Sequence, residues 1–145
     1  MKSTVGALVG VTLLLAMGAA TAQQITISDH VSDVVKQRAE KNDKLIGKVE
    51  IAEIGEDEIS EFVFHIDPGK TYFIRGACDD DCADIDLGAY DAAGASVGED
   101  VWPNELPRIE VPAGKSGAEV HVIVRMETCL AETCVAGVGL FQSTL

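Results

Sequence analysis

From Leu45 to Phe141 the chain breaks at roughly 8–12-residue intervals on glycine, proline or aspartate, and the stretches between alternate apolar with polar side chains. Few folds accept that rhythm. Leu45–Ile54 alternates loosely and is followed by the acidic turn Gly55–Glu58. Ser60–Ile66 alternates more cleanly, with Phe62, Phe64 and Ile66 on one face and Glu61, Val63 and His65 on the other. Asp67-Pro68-Gly69-Lys70 then has the composition of a hairpin turn, which makes Thr71–Gly76 the returning strand. Asp84–Tyr90 places Ile85, Leu87 and Ala89 on one face and ends at the turn Asp91–Gly94, with a short strand expected at Ala95–Val97. Arg108–Val111 is short and edge-like. Ala118–Met126 carries the strongest strand signal, Val120, Val122 and Val124 alternating with His121, Ile123 and Arg125, and Val135–Phe141 is the last strand. The expectation is an all-β, antiparallel β-sandwich of seven or eight strands behind one short N-terminal helix. Helix–strand alternation is absent, which argues against a parallel α/β sheet.

The first 22 residues read as a separate segment. Lys2 precedes an apolar run from Val5 to Ala19, and Ala20-Thr21-Ala22 is an A-x-A cleavage site. The run is too short and too rich in small residues for an anchor, and nothing after Gln23 is apolar enough to span a bilayer. A cleaved signal peptide over residues 1–22 is expected, and with it export to the periplasm or beyond. Removing 22 of 145 residues leaves 123, enough for one domain. Within it, residues 23–45 read as a helical arm and 46–145 as the sandwich. The helix is expected from Ser28 to about Lys44, capped by Ser28 or Asp29, with Val31, Val34 and Val35 forming a narrow apolar face. That face suits docking at the domain edge or a partly frayed arm, and it lacks the large apolar residues of a membrane-surface helix.

Losing Lys2 takes the formal charge from −13 to −14, because every acidic residue lies beyond the signal. Such a chain repels nucleic acid and anionic lipid, so cationic surfaces or divalent cations are the partners its charge suits. Cys78, Cys82, Cys129 and Cys134 all lie in the exported part, where an even number of cysteines implies disulfides. Spacing favours Cys78 with Cys82 and Cys129 with Cys134. A zinc site of four thiolates is the alternative, since its usual spacings overlap these.

The order Phe62–Ile66, Pro68-Gly69-Lys70-Thr71-Tyr72, Asp84-Ile85-Asp86-Leu87 with Tyr90-Asp91 and Gly94, and then Val120–Arg125 resembles the bacterial pre-peptidase C-terminal domain pattern. The resemblance runs from about Ile59 to Phe141 and leaves the helix outside it. Small stand-alone exported proteins with the same paired cysteines look similar as well. It implies a jelly-roll-like sandwich, and it implies binding or secretion roles beside exported proteases, with calcium bound by some related collagen-binding modules. This chain carries no protease domain, so no enzyme activity follows from the likeness.

Asp79, Asp80, Asp81, Asp84 and Asp86 are the candidate calcium ligands, because crowded carboxylates repel one another until something neutralises them. The plainer reading is a solvated acidic loop, and the spacing is not that of an EF-hand. Asp84 and Asp86 are also placed to cap turn amides or to pair with Arg75 or Arg125. Trp102, in a loop from Gly98 to Pro107, reads first as a plug for the end of the sandwich. Otherwise it is a stacking platform or partner anchor with Tyr90 as a neighbour. His65 and His121 fall opposite the apolar faces of their strands and His30 stands apart, a pattern of solvent-facing or cross-strand histidines rather than a metal pair. No G-x-S-x-G, H-E-x-x-H or nucleotide-binding glycine motif occurs. The expected function is a non-catalytic exported binding module for a protein or polysaccharide, in an oligomeric state the sequence leaves open. The alternative is a structural or inhibitor-like accessory of an exported hydrolase.

Overall fold

The computed structural model describes residues 26–144, so the expected signal peptide and the first residues of the arm lie outside the described part. One helix, α1 (Ile27–Gln37), precedes eight strands: β1 (Asp43–Ile54), β2 (Ile59–His65), β3 (Tyr72–Cys78), β4 (Cys82–Asp91), β5 (Ser96–Asp100), β6 (Arg108–Val111), β7 (Glu119–Cys129) and β8 (Cys134–Ser143). They form two four-stranded antiparallel sheets in the orders β1-β8-β3-β6 and β2-β7-β4-β5. That order is a jelly roll, with consecutive strands passing back and forth between the layers except at the β4–β5 hairpin, which stays within one sheet. The inward residues expected from alternation make the core: Phe64, Ile66, Ile85, Leu87, Ala89, Val120, Val122 and Val124 from one sheet meet Tyr72, Ile74, Ala136, Val138 and Leu140 from the other.

The turn after β2 is not a hairpin. Its local chemistry is as expected, with Asp67 Oδ1 accepting from Gly69 N at 2.9 Å and Lys70 N donating to the Asp67 carbonyl at 3.1 Å. Yet β2 pairs with β7, while β3 pairs with β8 and β6 in the opposite layer. A turn fixes where the chain reverses; the partner strand is chosen by nonlocal packing. The loose alternation of β1 has its own cause. Ile46 opposes Leu140 and Glu50 opposes Val138, so extra residues bulge out around Gly47, whose φ of +70° favours glycine.

The helix is capped by Thr26, two residues before Ser28, and Asp29, expected as an alternative cap, instead closes a capping box with Thr26. It ends at Gln37 rather than near Lys44, because Asp43 and Lys44 already pair with β8. Nor is it an edge arm. It lies across the outer face of β8, with β1 and β3 alongside, and Val31 and Val35 are fully buried with Val49, Ala77 and Phe141. The seat for it is made by Gly137 and Gly139: a Cβ on either would come within 2.8 Å of Val31 or Val35. Beneath the link from α1 to β1, Arg75 is only 4% exposed and its guanidinium pairs with Asp43 at 2.7 Å and Glu40 at 3.4 Å. The rings of Phe73 and Phe141 flank it.

Both expected disulfides are present, Cys78–Cys82 and Cys129–Cys134. Each spans a crossover from one sheet to the other, β3 to β4 and β7 to β8. Cys82 opposes Cys129 across β4 and β7, so the two bridges stand side by side at one end of the sandwich. The crossovers also bond to each other: Asp79 exchanges backbone and side-chain hydrogen bonds with Val135, and Leu130 N donates to the Asp81 carbonyl at 2.8 Å.

Candidate interaction face

One outer face is roofed by α1; the other, on β2-β7-β4-β5, has no covering element among the described residues. Register lays out its outward side chains in rows. Val63, His121, Tyr90 and Ser96 form one row, Glu61, Ile123, Gly88 and Glu99 the next, and Ile59, Arg125 and Asp86 a third. The central β7 and β4 are thus flanked by exposed Ile59 and Val63 on the β2 edge and exposed Glu99 on the β5 edge. Two shallow grooves share Tyr90 and Ile123. One, of about 220 Å³, is bordered by Ile59, Asp86, Glu99 and Val101; the other, of about 300 Å³, by Glu61, Asp91 and His121. A Cβ on Gly88 would sit 2.9 Å from the Tyr90 ring, so glycine lets that ring fold back along its own strand.

Carboxylates dominate the face. His121 is held between two of them, Nδ1 2.5 Å from Glu61 and Nε2 2.7 Å from Glu119. Those hydrogen bonds, first to Glu61 and then to Glu119, raise its pKa and favour the imidazolium. His65 lies 3.8 Å from the same Glu119, so these histidines are the cross-strand groups expected. Arg125 is engaged by Glu127 at 2.7 Å and Asp57 at 3.4 Å. Asp86 is pushed up to about 6, chiefly by burial and then by the charges of Glu127 and Asp84.

The five candidate calcium ligands are spread over three places. Asp79, Asp80 and Asp81 sit in the β3–β4 crossover, where Asp79 Oδ2 caps Val135 N at 2.8 Å and its Oδ1 is buried without a partner among the described residues. Asp84 Oδ1 accepts from Asn104 N at 3.0 Å, the amide-capping role that was its alternative. Asp86 stands beside Glu127 on the open face. Neither Asp84 nor Asp86 reaches Arg75, which lies under the helix on the opposite sheet. Among the described residues no group of three or more His, Cys, Asp or Glu is arranged to hold a metal ion.

Trp102 is not a plug: it is 79% exposed, although the loop carrying it is well tied down. Asp100 accepts from Trp102 N at 3.2 Å and from Arg108 N at 2.8 Å, and Asn104 Nδ2 donates to the Trp102 carbonyl at 2.7 Å. Nonlocal hydrogen bonds to Asp84 and Gly76 fasten the rest of the loop, leaving the indole outside. Tyr90 lines the grooves, and Trp102 follows Val101 out of the nearer one. Sequence reasoning missed Ile59, Ile123 and Glu99. The signal for Ile123 was present, an apolar residue between His121 and Arg125 on the polar side of an alternating strand. No helix among the described residues is long and apolar enough to cross a membrane. No family model matches this chain, and no curated protein sequence matches it.

Proposed function

We propose that the chain is a non-catalytic exported interaction module that recognises a protein or polysaccharide partner through the outer face of β2-β7-β4-β5 and the neighbouring Trp102. The observation that carries this reading is the asymmetry of the sandwich: one outer face is closed by α1, and the other keeps Ile59, Val63, Tyr90 and Ile123 at outward positions beside a rigidly held, exposed tryptophan. Exposed aromatic side chains on ordered backbone are groups from which binding hot spots are built, and branched aliphatic neighbours exclude water around them. Two disulfides and the A-x-A site after an apolar run support export. The motif likeness to pre-peptidase C-terminal domains supports a binding role of the same class.

The test is retention of components of the producing cell's exported fraction on immobilised mature protein, compared with Trp102→Ala and Ile123→Ser. A component held by the wild type and released by both variants is expected. Retention indifferent to both substitutions would move the binding surface elsewhere and defeat the reading. A retained hydrolase whose activity changes on binding would make the protein an accessory of that enzyme.

A further inference from the structure

Resting on the reading of this face as the binding surface, we infer that its occupant is an extended protein segment carrying a lysine or arginine, whose side chain lies in the groove between Ile59 and Glu99. The groove has the two halves such a side chain needs. Ile59, Val101 and Ile123 provide an apolar bed for an alkyl stem, and the carboxylates of Asp86 and Glu99 stand within the same lining for its charged end. The Tyr90 ring, folded back over Gly88, adds a π surface at the border.

The charge in the groove is unbalanced in the direction that favours a cation. Arg125 is its one permanent cation, and that guanidinium is already engaged by Glu127 and Asp57. The Glu99 carboxylate has no hydrogen-bond or ion-pair partner among the described residues. Asp86, crowded by Glu127 and Asp84 and partly desolvated, carries its negative charge at a cost that an incoming cation relieves. The mature chain's formal charge of −14, which is −13 less the charge of Lys2, steers a basic partner toward the protein at long range.

Extended polypeptide suits the layout better than a sugar chain does. The second groove adjoins the first across Tyr90 and Ile123. An extended chain sends alternate side chains to one side about 7 Å apart, so successive same-side residues reach neighbouring sites. A neutral sugar can hydrogen-bond the carboxylates but gains nothing from their net charge and finds only Tyr90 as an aromatic face in this groove, and acidic sugars are repelled.

The inference is tested on the full mature, disulfide-bonded chain by amide NMR titration. The probes are a short peptide alternating lysine with leucine, its glutamate–leucine counterpart, and a neutral glucose oligomer. The lysine peptide is expected to shift resonances of β2, β4, β5 and β7 around Ile59, Gly88, Glu99 and Ile123, with no response to the other two. Ile123→Ser should weaken it about tenfold through lost apolar contact. Glu99→Gln, an exposed change that leaves the core untouched, should weaken it about threefold, whereas Glu132→Gln away from the face should not. Shifts scattered over the acidic surface and indifferent to Ile123→Ser and Glu99→Gln would overturn the inference. So would occupation of the same face by the glucose oligomer or the acidic peptide. If retention of an exported component still depends on the face while the lysine peptide fails, the inference alone falls. If that dependence is lost as well, the binding reading falls with it.

Discussion

Asp86 and His121 give the open face a pH response with a definite sign. Asp86 titrates from 3.8 unfolded to about 6 folded, so the folded state holds the proton more tightly and stability declines as pH rises through that window. Replacing it with asparagine should therefore raise the midpoint of thermal unfolding by about 1–3 °C at neutral pH, discounted for solvent exposure. The gain should vanish below about pH 4. A gain that persists undiminished in acid would refute the assignment. His121 adds a second window: its raised pKa makes the imidazolium's contribution fully present below 6.5, and that contribution is lost as pH climbs through the raised value. In Glu61→Gln the NMR titration midpoint of His121 should fall, and an unchanged midpoint would remove Glu61 as its cause. The acidic crossover yields a separate expectation. Asp79 and Asp84 are committed to the amides of Val135 and Asn104, so unfolding in excess calcium and in chelator at matched ionic strength should coincide. A rise of several degrees lost in chelator would instead make the unpartnered Asp79 Oδ1 part of a cation site.

Helix α1 is bound to the sandwich by shape more than by its own propensity. An 11-residue helix with a narrow apolar stripe is marginal in water, so burial of Val31 and Val35 in the hollow over Gly137 and Gly139 must hold it. Gly137→Val fills that hollow from below. The expected cost is about 1–3 kcal/mol in urea unfolding, with loss of helical circular dichroism before the sheets melt. A single unfolding transition at the wild-type midpoint would show that the close approach is not needed. The same strand shows the limit of sequence reading at this scale. Val135–Phe141 is legible as a strand from its apolar alternation, but nothing local says that its glycines face a helix more than a hundred residues earlier.

The two disulfides act on the molecule as a whole, because each closes a sheet-to-sheet crossover at the same end. Chain-entropy bookkeeping for loops this short gives about 2 kcal/mol for each bridge. Replacing Cys129 and Cys134 by alanine should cost more than replacing Cys78 and Cys82. Cys129 and Cys134 are both buried in the main core, whereas Cys78 is only partly so. Equal midpoints for the two double variants in urea would contradict that ranking. Cysteine spacing alone favoured both pairings, because each pair brackets only three or four residues.

Alternation and turn chemistry by themselves determined the all-β class, the strands, the inward faces of β2, β4 and β7 and the local bridges, since all of these follow from periods of two and from short chain separations. Tertiary structure decided the rest. It sent β2 and β3 to different sheets across a turn that looks like a hairpin. It laid α1 over one face and left the other open, turned Trp102 outward, and dispersed five neighbouring aspartates among an amide cap, a crossover and a carboxylate pair. Each of these depends on which distant strand lies alongside, and a side chain's surroundings are set by that partner as much as by its own place in the chain.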